Sequence, residues 1–416
     1  MVCCGLSASH VGRVFSIAID SIEYELACGS PGFASRVFVE GSGPNTLSYS
    51  SVSTMGFWRS VVRPAVTMFQ SSKSKPGSAG TTLVEEADLH RLFLALEWRR
   101  ATDASRKFEE DEPALAPEAA AARLSDRAQA MALDDLRNVV KRHVERQVRD
   151  LVHRDSVTGL TSSPSSPSSP SSPSSPSSPS SPSSPSSPSF GLAVRPSGIP
   201  DAGRGVFLEG SGAALGQVVA LMPGLSYSVE HIRDIPGYPS FGNDSMLMMV
   251  RHDGRVIDSR AWELFETNGL RDYNASRRKR DGLDNEALLD ETYFHPAVRE
   301  SPLALLAFGH LINHPPRGVV PNVLAAAVDW TVQSEQDRSM IPWSLFPPER
   351  GGPASGGAPA DDRSSVIVPG LAFVATEPIE EGEELLVNYR LNPGVVGGLP
   401  KWYEAVDEEE DGERWR

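Results

Sequence analysis

Three short stretches of the sequence carry residue types that suit the binding of a small ligand. One apolar run ends in the polar pair Asn313-His314, and far along the chain a second apolar run ends in Tyr389. Upstream of both, Gly203 and Gly205 flank an arginine and lead into an apolar stretch. Glycine lacks a Cβ, so the backbone at such a turn can approach a ligand closely. We therefore interpret the three stretches as parts of one pocket that folding brings together.

The composition narrows the classes of protein. The chain of 416 residues has room for two domains of ordinary size. No apolar run approaches the roughly 20 residues of a membrane helix, so we predict no membrane insertion. A net charge of −15 opposes direct nucleic-acid binding, which depends on clustered Lys and Arg, and favours basic partners such as a lysine-containing protein. The 3 cysteines (Cys3, Cys4 and Cys28) predict a reducing, intracellular compartment and no metal site near the pocket.

Residues 1–84 are predicted to be a poorly ordered N-terminal segment. From Gly41 to Val84 the chain has no Asp or Glu but many serines and several basic residues, which is typical of an organelle transit peptide. Because transit peptides begin chains, this interpretation requires Met55 to be the physiological start instead of Met1. A flexible arm is the alternative, and the sequence leaves nucleus, cytoplasm and organelle open.

Residues 85–155 carry the periodicity of helices. After Pro117, apolar residues recur at three- to five-residue steps and predict one stripe of an amphipathic helix. The stripe comprises Leu124, Ala128, Met131, Leu136, Val140, Val144, Val148 and Leu151. We expect this region to pack on itself or on the following domain, with partner binding as the alternative.

Residues 156–191 form a linker built on an uninterrupted Ser-Ser-Pro repeat, Ser162 to Pro188. Proline at every third position matches the turn of a polyproline II helix and removes backbone donors. Without apolar side chains the repeat cannot form a core, so we predict a disordered spacer.

From residue 192 to residue 400 short apolar runs alternate with turn residues, which predicts a β-rich domain. The predicted strands are Val206–Leu208, Gly216–Leu221, Ser245–Val250, Val256–Asp258, Val323–Trp330, Val366–Ala375 and Glu384–Tyr389. Residues 259–300 are interpreted as a polar insertion, and residues 349–363 as a flexible surface loop. The predicted fold class is therefore α+β.

The order of these stretches resembles the SET domain of S-adenosylmethionine-dependent lysine methyltransferases, and within it the branch called SET domain-containing protein nine with its plant and algal relatives. The matching segments are Gly203–Phe207, Met222–Gly224, Gly309–Pro316, Pro321–Val323, Ile379–Pro393 and Leu399–Tyr403. The resemblance implies a SET domain of small sheets at 192–400, in which the C-terminal segment threads knot-like through a loop and Asn322 braces the crossing. Residues 401–416 then form an aromatic and acidic tail.

The resemblance implies S-adenosyl-L-methionine as the cofactor. The cofactor-binding residues that it implies are Gly203, Arg204, Gly205, Asn313, His314 and Trp402. In this assignment Asn313 hydrogen-bonds the amino group of the cofactor, and His314 contributes backbone contacts to the adenine. Trp402 and Tyr403 cover the cofactor in place of the zinc segment that closes many SET domains.

The implied reaction transfers a methyl group to a lysine side chain of a protein. Tyr389 is the implied catalytic residue, with its hydroxyl at the inner end of a lysine channel that Met222, Gly224 and Phe373 line. Methyl transfer from a sulfonium is a single displacement, so the protein must mainly align the two reactants and exclude water.

Two departures from the family pattern leave alternatives open. Pro315-Pro316 follows Asn313-His314 where histone methyltransferases have Ser-Cys, and Met222 stands where many SET enzymes have a tyrosine. The second departure allows a SET-fold protein that binds cofactor with little turnover. A third hypothesis is a scaffold that acts through the amphipathic helix and the Ser-Pro repeat. We interpret the acidic run Asp407 to Asp411 as a solvated tail, with a docking strip for basic substrates as the alternative. The sequence leaves the target lysine, the number of methyl groups and the oligomeric state undetermined.

Overall fold

The helical region predicted for residues 85–155 contains three helices in the computed structural model. They are α1 (Leu83–Ser105), α2 (Pro117–Ala130) and α3 (Leu133–Thr158). The structure describes residues 83–105, 117–158, 190–238, 246–267, 293–347, 365–392, 394 and 398–413. All of these belong to one compact unit, Ser53–Arg416.

The single amphipathic helix expected after Pro117 is divided into two. Helix α2 ends at Ala130, and α3 begins at Leu133 with Asp134 and Asp135 in its first turn. Carboxylates favour a helix start because they interact with the positive end of the helix dipole. The apolar stripe nevertheless continues across the break, and its buried members are Ala128, Leu136, Val140, Val144 and Val148. At its end Val152 is buried in place of the predicted Leu151, which is partly buried.

Three small sheets follow the helices, so the protein is a mixed α+β structure as the sequence predicts. A two-stranded sheet pairs β1 (Phe190–Pro196) with β2 (Arg204–Gly210). A three-stranded sheet has the order β3 (Val218–Met222), β9 (Val366–Ala375) and β7 (Val323–Val332). A four-stranded sheet has the order β5 (Met248–Val250), β6 (Val256–Asp258), β4 (Gly224–Tyr227) and β8 (Trp343–Phe346). The pairs are antiparallel except for β4 with β8.

Short helices connect the strands. They are α4 (Arg260–Thr267), α5 (Glu335–Met340) and α6 (Glu408–Glu413), with 3₁₀ turns at Val229–Asp234, Pro296–Glu300, Pro302–Leu306 and Gly309–Leu311. Helix α4 corrects the interpretation of residues 259–300 as a polar insertion. Its residues Trp262 and Phe265 are buried against Phe294, because the aromatic side chains of this stretch provide an apolar face within a charged sequence.

The stretch Glu384–Tyr389 is not the strand that its apolar run predicts. It makes two isolated bridges, from Glu384 to Phe207 and from Leu386 to Asn313. Its residues hydrogen-bond different segments in turn, so no continuous ladder forms. Local propensity favours a strand here, but the surrounding segments determine the backbone path.

The helical region packs directly on the sheets. Gln147 in α3 donates from Nε2 to the Gly216 carbonyl at 2.8 Å and accepts at Oε1 from the Val218 amide at 3.0 Å. Apolar residues of α1, α3, β3, β7 and β9 share one continuous core. The helices are therefore part of the same folded core as the sheets.

Several predictions concern residues outside the described ranges. They include the N-terminal segment up to residue 82, the Ser-Ser-Pro linker, the polar stretch 268–292 and the loop 349–363. Within the described ranges, none of the helices has the length and apolarity that crossing a membrane requires.

Gly216→Ala should separate packing of the helical region from backbone strain. Gly216 has φ +74°, and a Cβ there would overlap the Ala95 carbonyl of α1. Gly382 has φ +82° with open space around it, so it is the matched control. We expect a loss of unfolding free energy of about 1 kcal/mol for Gly382→Ala, from left-handed backbone alone, and about 3 kcal/mol for Gly216→Ala. Urea denaturation measures both, and equal losses would contradict close packing of α1 on this turn.

Candidate functional site

The glycine turn, the Asn-His stretch and the C-terminal segment meet around one carboxylate, that of Glu384. Asn313 donates from Nδ2 to Glu384 Oε1 at 2.8 Å and to the Arg204 carbonyl at 2.9 Å. A Cβ at Gly205 would overlap the Glu384 carboxylate and would lie 3.0 Å from Asn313 Nδ2. The absence of a side chain at Gly205 thus allows the three segments to come together.

Glu384 was not predicted as a site residue. Besides Asn313, its carboxylate accepts from Ser197 Oγ at 2.8 and 3.0 Å and from the Gly198 amide at 3.4 Å. It therefore joins the turn after β1 to the C-terminal segment. The sequence signal that could have indicated Glu384 is its position as a charged residue at the start of an otherwise apolar run.

The backbone around Leu386 is held from both sides. Its neighbour Val387 donates to the Asn313 carbonyl at 2.9 Å, while the Leu386 carbonyl accepts from the Asn322 amide at 3.1 Å. The side chain of Asn322 accepts from the Leu386 amide at 2.8 Å and donates to the Glu384 carbonyl at 2.9 Å. Asn313 and Asn322 therefore fix the segment that leads to Tyr389.

Tyr389 points its hydroxyl at the backbone of the Asn-His stretch. The hydroxyl donates to the Ile312 carbonyl at 2.9 Å. Burial raises the pKa of the Tyr389 phenol well above its usual value near 10, and the negative charge of Glu384 acts in the same direction. The phenol is therefore neutral at physiological pH.

The imidazole of His314 binds the backbone of Tyr389. Its Nδ1 accepts from the Tyr389 amide at 3.2 Å, its Nε2 donates to the Glu404 carbonyl at 2.7 Å, and its ring stacks on Tyr403 at 4.6 Å. Burial lowers the pKa of His314, which favours the neutral ring that this hydrogen-bond pattern requires. Both ring nitrogens are engaged, so the imidazole has a structural role.

Next to Tyr389 lies a cavity of about 240 Å³ with a wall rich in methionine. Its apolar lining includes Met222, Met246, Met248, Met249, Ile312, Leu324, Leu371 and Val387. Methionine is flexible and polarisable, so such a wall adapts to a long apolar stem. Charged residues (Asp88, Arg251 and Arg390) also line the cavity.

The predicted channel residues do not all reach this cavity. Met222 lines it, but Phe373 lies fully buried in the sheet core, where it pairs with Ala220 and Ala325. Gly224 lies in the four-stranded sheet, and a Cβ there would overlap the Asp258 carbonyl. Both residues lie in or near the motifs that resemble SET domains, but the motifs alone do not show which residues line the cavity and which lie in the core.

The predicted cofactor residues lie near the junction at Glu384 or at its edge. Gly203 has φ +73° with open space around it, and the Arg204 side chain is 60% exposed and paired with Glu263 at 3.2 Å. Trp402 is half-exposed and contacts Tyr389 edge-on at 6.2 Å between ring centres. Gly203 thus stays accessible while Gly205 is buried against Glu384 and Asn313, and Trp402 lies at the side of Tyr389.

The acidic run Asp407–Asp411 is not simply the solvated tail that we expected. Asp411 is 4% exposed and accepts from Asn388 Nδ2 at 2.8 Å and from the Tyr403 hydroxyl at 3.1 Å. All of the run except Asp407 lies in α6, and its last aspartate contacts the residues around Tyr389. Charge alone predicted solvation, but Asn388 and Tyr403 supply polar partners for this one carboxylate.

His310 is a second residue that the sequence reasoning missed. It lines the cavity and is 7% exposed, and its Nδ1 has no hydrogen-bond partner among the described residues. Burial lowers its pKa to about 4, and the positive charge of Arg204 acts in the same direction. His310 is therefore neutral at physiological pH.

Among the described residues, no group of three or more His, Cys, Asp or Glu side chains could hold a metal ion. Comparisons of the chain with protein-family models, curated proteins and solved structures found no match.

His310 makes stability depend on pH. Its pKa is about 4 in the folded state and about 6.5 when unfolded, so the unfolded state binds the proton first as pH falls. Its contribution is fully present above pH 6.5 and is lost as pH falls toward 4. From these two pKa values we expect acidification from pH 7 to pH 5 to cost the parent about 2 kcal/mol more than His310→Leu. Urea unfolding at both pH values measures this difference, and equal losses would contradict a buried neutral imidazole.

Proposed function

We propose that this protein is a protein-lysine N-methyltransferase of the SET type, with S-adenosyl-L-methionine as its cofactor. The observation that carries the proposal is the meeting of three sequence-distant segments at Glu384. The glycine turn, Asn313 and the segment ending in Tyr389 converge there through direct contacts. These are the segments in which the sequence resembles SET domains.

The residues at the junction suit the amino-acid part of the cofactor. Because Asn313 Nδ2 donates to Glu384 and to the Arg204 carbonyl, its amide plane is fixed. Its Oδ1 is then the atom to accept a hydrogen bond from an ammonium group, and the Glu384 carboxylate adds negative charge nearby. The open glycine turn at Gly203 leaves room for backbone approach.

Bound S-adenosylmethionine supplies a methyl group on a positively charged sulfonium. The Tyr389 oxygen and the Ile312 carbonyl form a pair of oxygen dipoles beside the cavity, and such dipoles stabilise positive charge in the reacting group. The methionine-rich part of the wall is apolar, and desolvation against it would favour the neutral form of an entering amine. The cavity and Tyr389 therefore suit a lysine side chain.

The finer features of the SET fold belong to the same proposal. In it the C-terminal segment passes through the loop between Asn313 and Asn322, and hydrogen bonds from both residues to Leu386 and its neighbours support this threading.

One observation favours a second candidate function. Met222 lines the cavity and brings no hydroxyl to it, so only Tyr389 supplies a phenol to the described lining. With one oxygen fewer to orient the amine, a SET-fold protein could bind cofactor with little turnover. Measured turnover decides between the two candidates.

Replacing Tyr389 by phenylalanine should separate binding from chemistry. The variant removes only the hydroxyl, so we expect S-adenosylmethionine affinity within about twofold of the parent and methyl transfer reduced about 100-fold or more. Radiolabelled S-adenosylmethionine with host-cell lysate, parent against variant, shows which protein band depends on the hydroxyl. Calorimetry measures the affinity.

Each possible result of the labelling and binding experiments supports or contradicts one or both of the candidate functions. Labelling that depends on Tyr389 supports the methyltransferase. Cofactor binding without labelling by the parent supports the binding protein, and absence of cofactor binding contradicts both. Equal labelling by parent and variant would contradict the role of Tyr389.

Asn313→Ala should weaken cofactor binding instead. A hydrogen bond to a charged group contributes about 1.5–3 kcal/mol, so we expect the Kd to rise about 10- to 100-fold. Calorimetry against the parent and Tyr389→Phe measures the change, and thermal denaturation checks that the variant is folded. A folded Asn313→Ala protein with parental affinity would exclude Asn313 from the cofactor site.

A further inference from the structure

Tyr389 is followed by a residue with an unusual backbone. Arg390 has φ +46°, in the left-handed region that non-glycine residues rarely adopt. Such a conformation persists only where surrounding contacts determine it. The contacts of Arg390 therefore show what fixes the backbone at Tyr389.

The main contact comes from the N-terminal helix α1. Arg390 donates from Nη1 to Asp88 Oδ2 at 2.6 Å and from Nη2 to Asp88 Oδ1 at 2.9 Å. The two side chains are 7% and 4% exposed, so this is a buried bidentate ion pair. Although burial opposes ionisation, the Arg390 charge and hydrogen bonds from His252 and Arg390 keep the pKa of Asp88 well below its usual value.

A second carboxylate holds the other neighbours of Tyr389. Asp411 in α6 accepts from Asn388 at 2.8 Å and lies 3.6 Å from Arg390 Nε. It also accepts from the Tyr403 hydroxyl at 3.1 Å, and that hydroxyl accepts from the Leu391 amide at 3.1 Å. The residues on both sides of Tyr389 are thus tied to two acids that lie outside the sheets.

We propose that Asp88 is a positioning residue for Tyr389, so that helix α1 completes the active site. This inference rests on the proposed function, and it assigns to the N-terminal region a role in the reaction. Asp88 acts through Arg390: it holds the left-handed turn that directs the Tyr389 hydroxyl to Ile312. Asp411 supports the same turn from the C-terminal side.

The test compares Asp88→Asn with Glu86→Gln. Asn keeps the shape of Asp88 but removes its charge, while Glu86 lies on the same helix with a side chain 46% exposed. For a misplaced catalytic group we expect kcat to fall about 10- to 100-fold in Asp88→Asn, with unchanged cofactor affinity. Glu86→Gln should behave like the parent.

A double-variant cycle distinguishes positioning from general stability. If Asp88 acts through the Tyr389 hydroxyl, Asp88→Asn should lower kcat in the parent and leave the residual rate of Tyr389→Phe unchanged. An equal fall in both backgrounds, or none in the parent, would overturn the inference.

Hydrogen–deuterium exchange gives a measurement that does not depend on activity. The amides of Tyr389, Arg390 and Leu391 are hydrogen-bonded in this turn, so Asp88→Asn should speed their exchange while β7 and β9 keep parental rates. Uniform acceleration over the whole chain, or no acceleration, would overturn the inference. If the parent transfers no methyl group, the proposed function fails, and exchange alone then decides whether Asp88 holds the turn.

Discussion

The structure depends on how the segment from Glu384 to Arg390 is held. This segment forms no strand ladder, so its backbone groups are satisfied one by one by partners from distant parts of the chain. Asn313 and Asn322 bind it near Leu386, His314 binds the Tyr389 amide, and Asp88 binds Arg390. Its contacts therefore come from helix α1, the Asn-His stretch and the glycine turn together.

The carboxylates and histidines that contact this segment each have partners suited to their charge. Two carboxylates, Glu384 and Asp88, face partners that satisfy them, and the arginine that Asp88 pairs with is itself buried. Replacing a buried ion pair by apolar residues is often neutral or stabilising, whereas removing one partner destabilises strongly because the other charge stays buried and uncompensated. Burial instead lowers the pKa of His310 and of His314, so the neutral His314 ring can accept from one backbone group and donate to another. The Asp88–Arg390 ion pair and the neutral His314 ring both contact the backbone around Tyr389.

Local signals in the sequence predicted the elements, and the contacts between them were harder to predict. The apolar runs gave the helical region and the strands Val323–Val332 and Val366–Ala375, because periodicity and β-branched residues act locally. They failed at Glu384–Tyr389, where partners distant in sequence determine the backbone path. They also failed at Asp411, a surface charge by composition that is buried by Asn388 and Tyr403.

The candidate site divides in the same way. The motifs that resemble SET domains predicted Gly205, Asn313 and Tyr389 as site residues, and the fold brings their segments together at Glu384. Phe373, the predicted channel residue, lies buried in the sheet core and not in the lining of this cavity, a distinction that alternation along β9 does not make. Asp88 could not have been found from sequence, since it lies 302 positions from Arg390 and within an ordinary helical pattern.

The state of the Tyr389 hydroxyl limits what it can do in the proposed reaction. Its proton is donated to the Ile312 carbonyl and its pKa is raised, so it cannot serve as a base at physiological pH. A lysine must then lose its proton because of its surroundings. The methionine-rich wall favours the neutral amine by desolvation, and a nearby sulfonium would favour it further. In the proposed reaction, deprotonation of the lysine would therefore depend on its surroundings, and Tyr389 would orient the amine through its oxygen lone pairs.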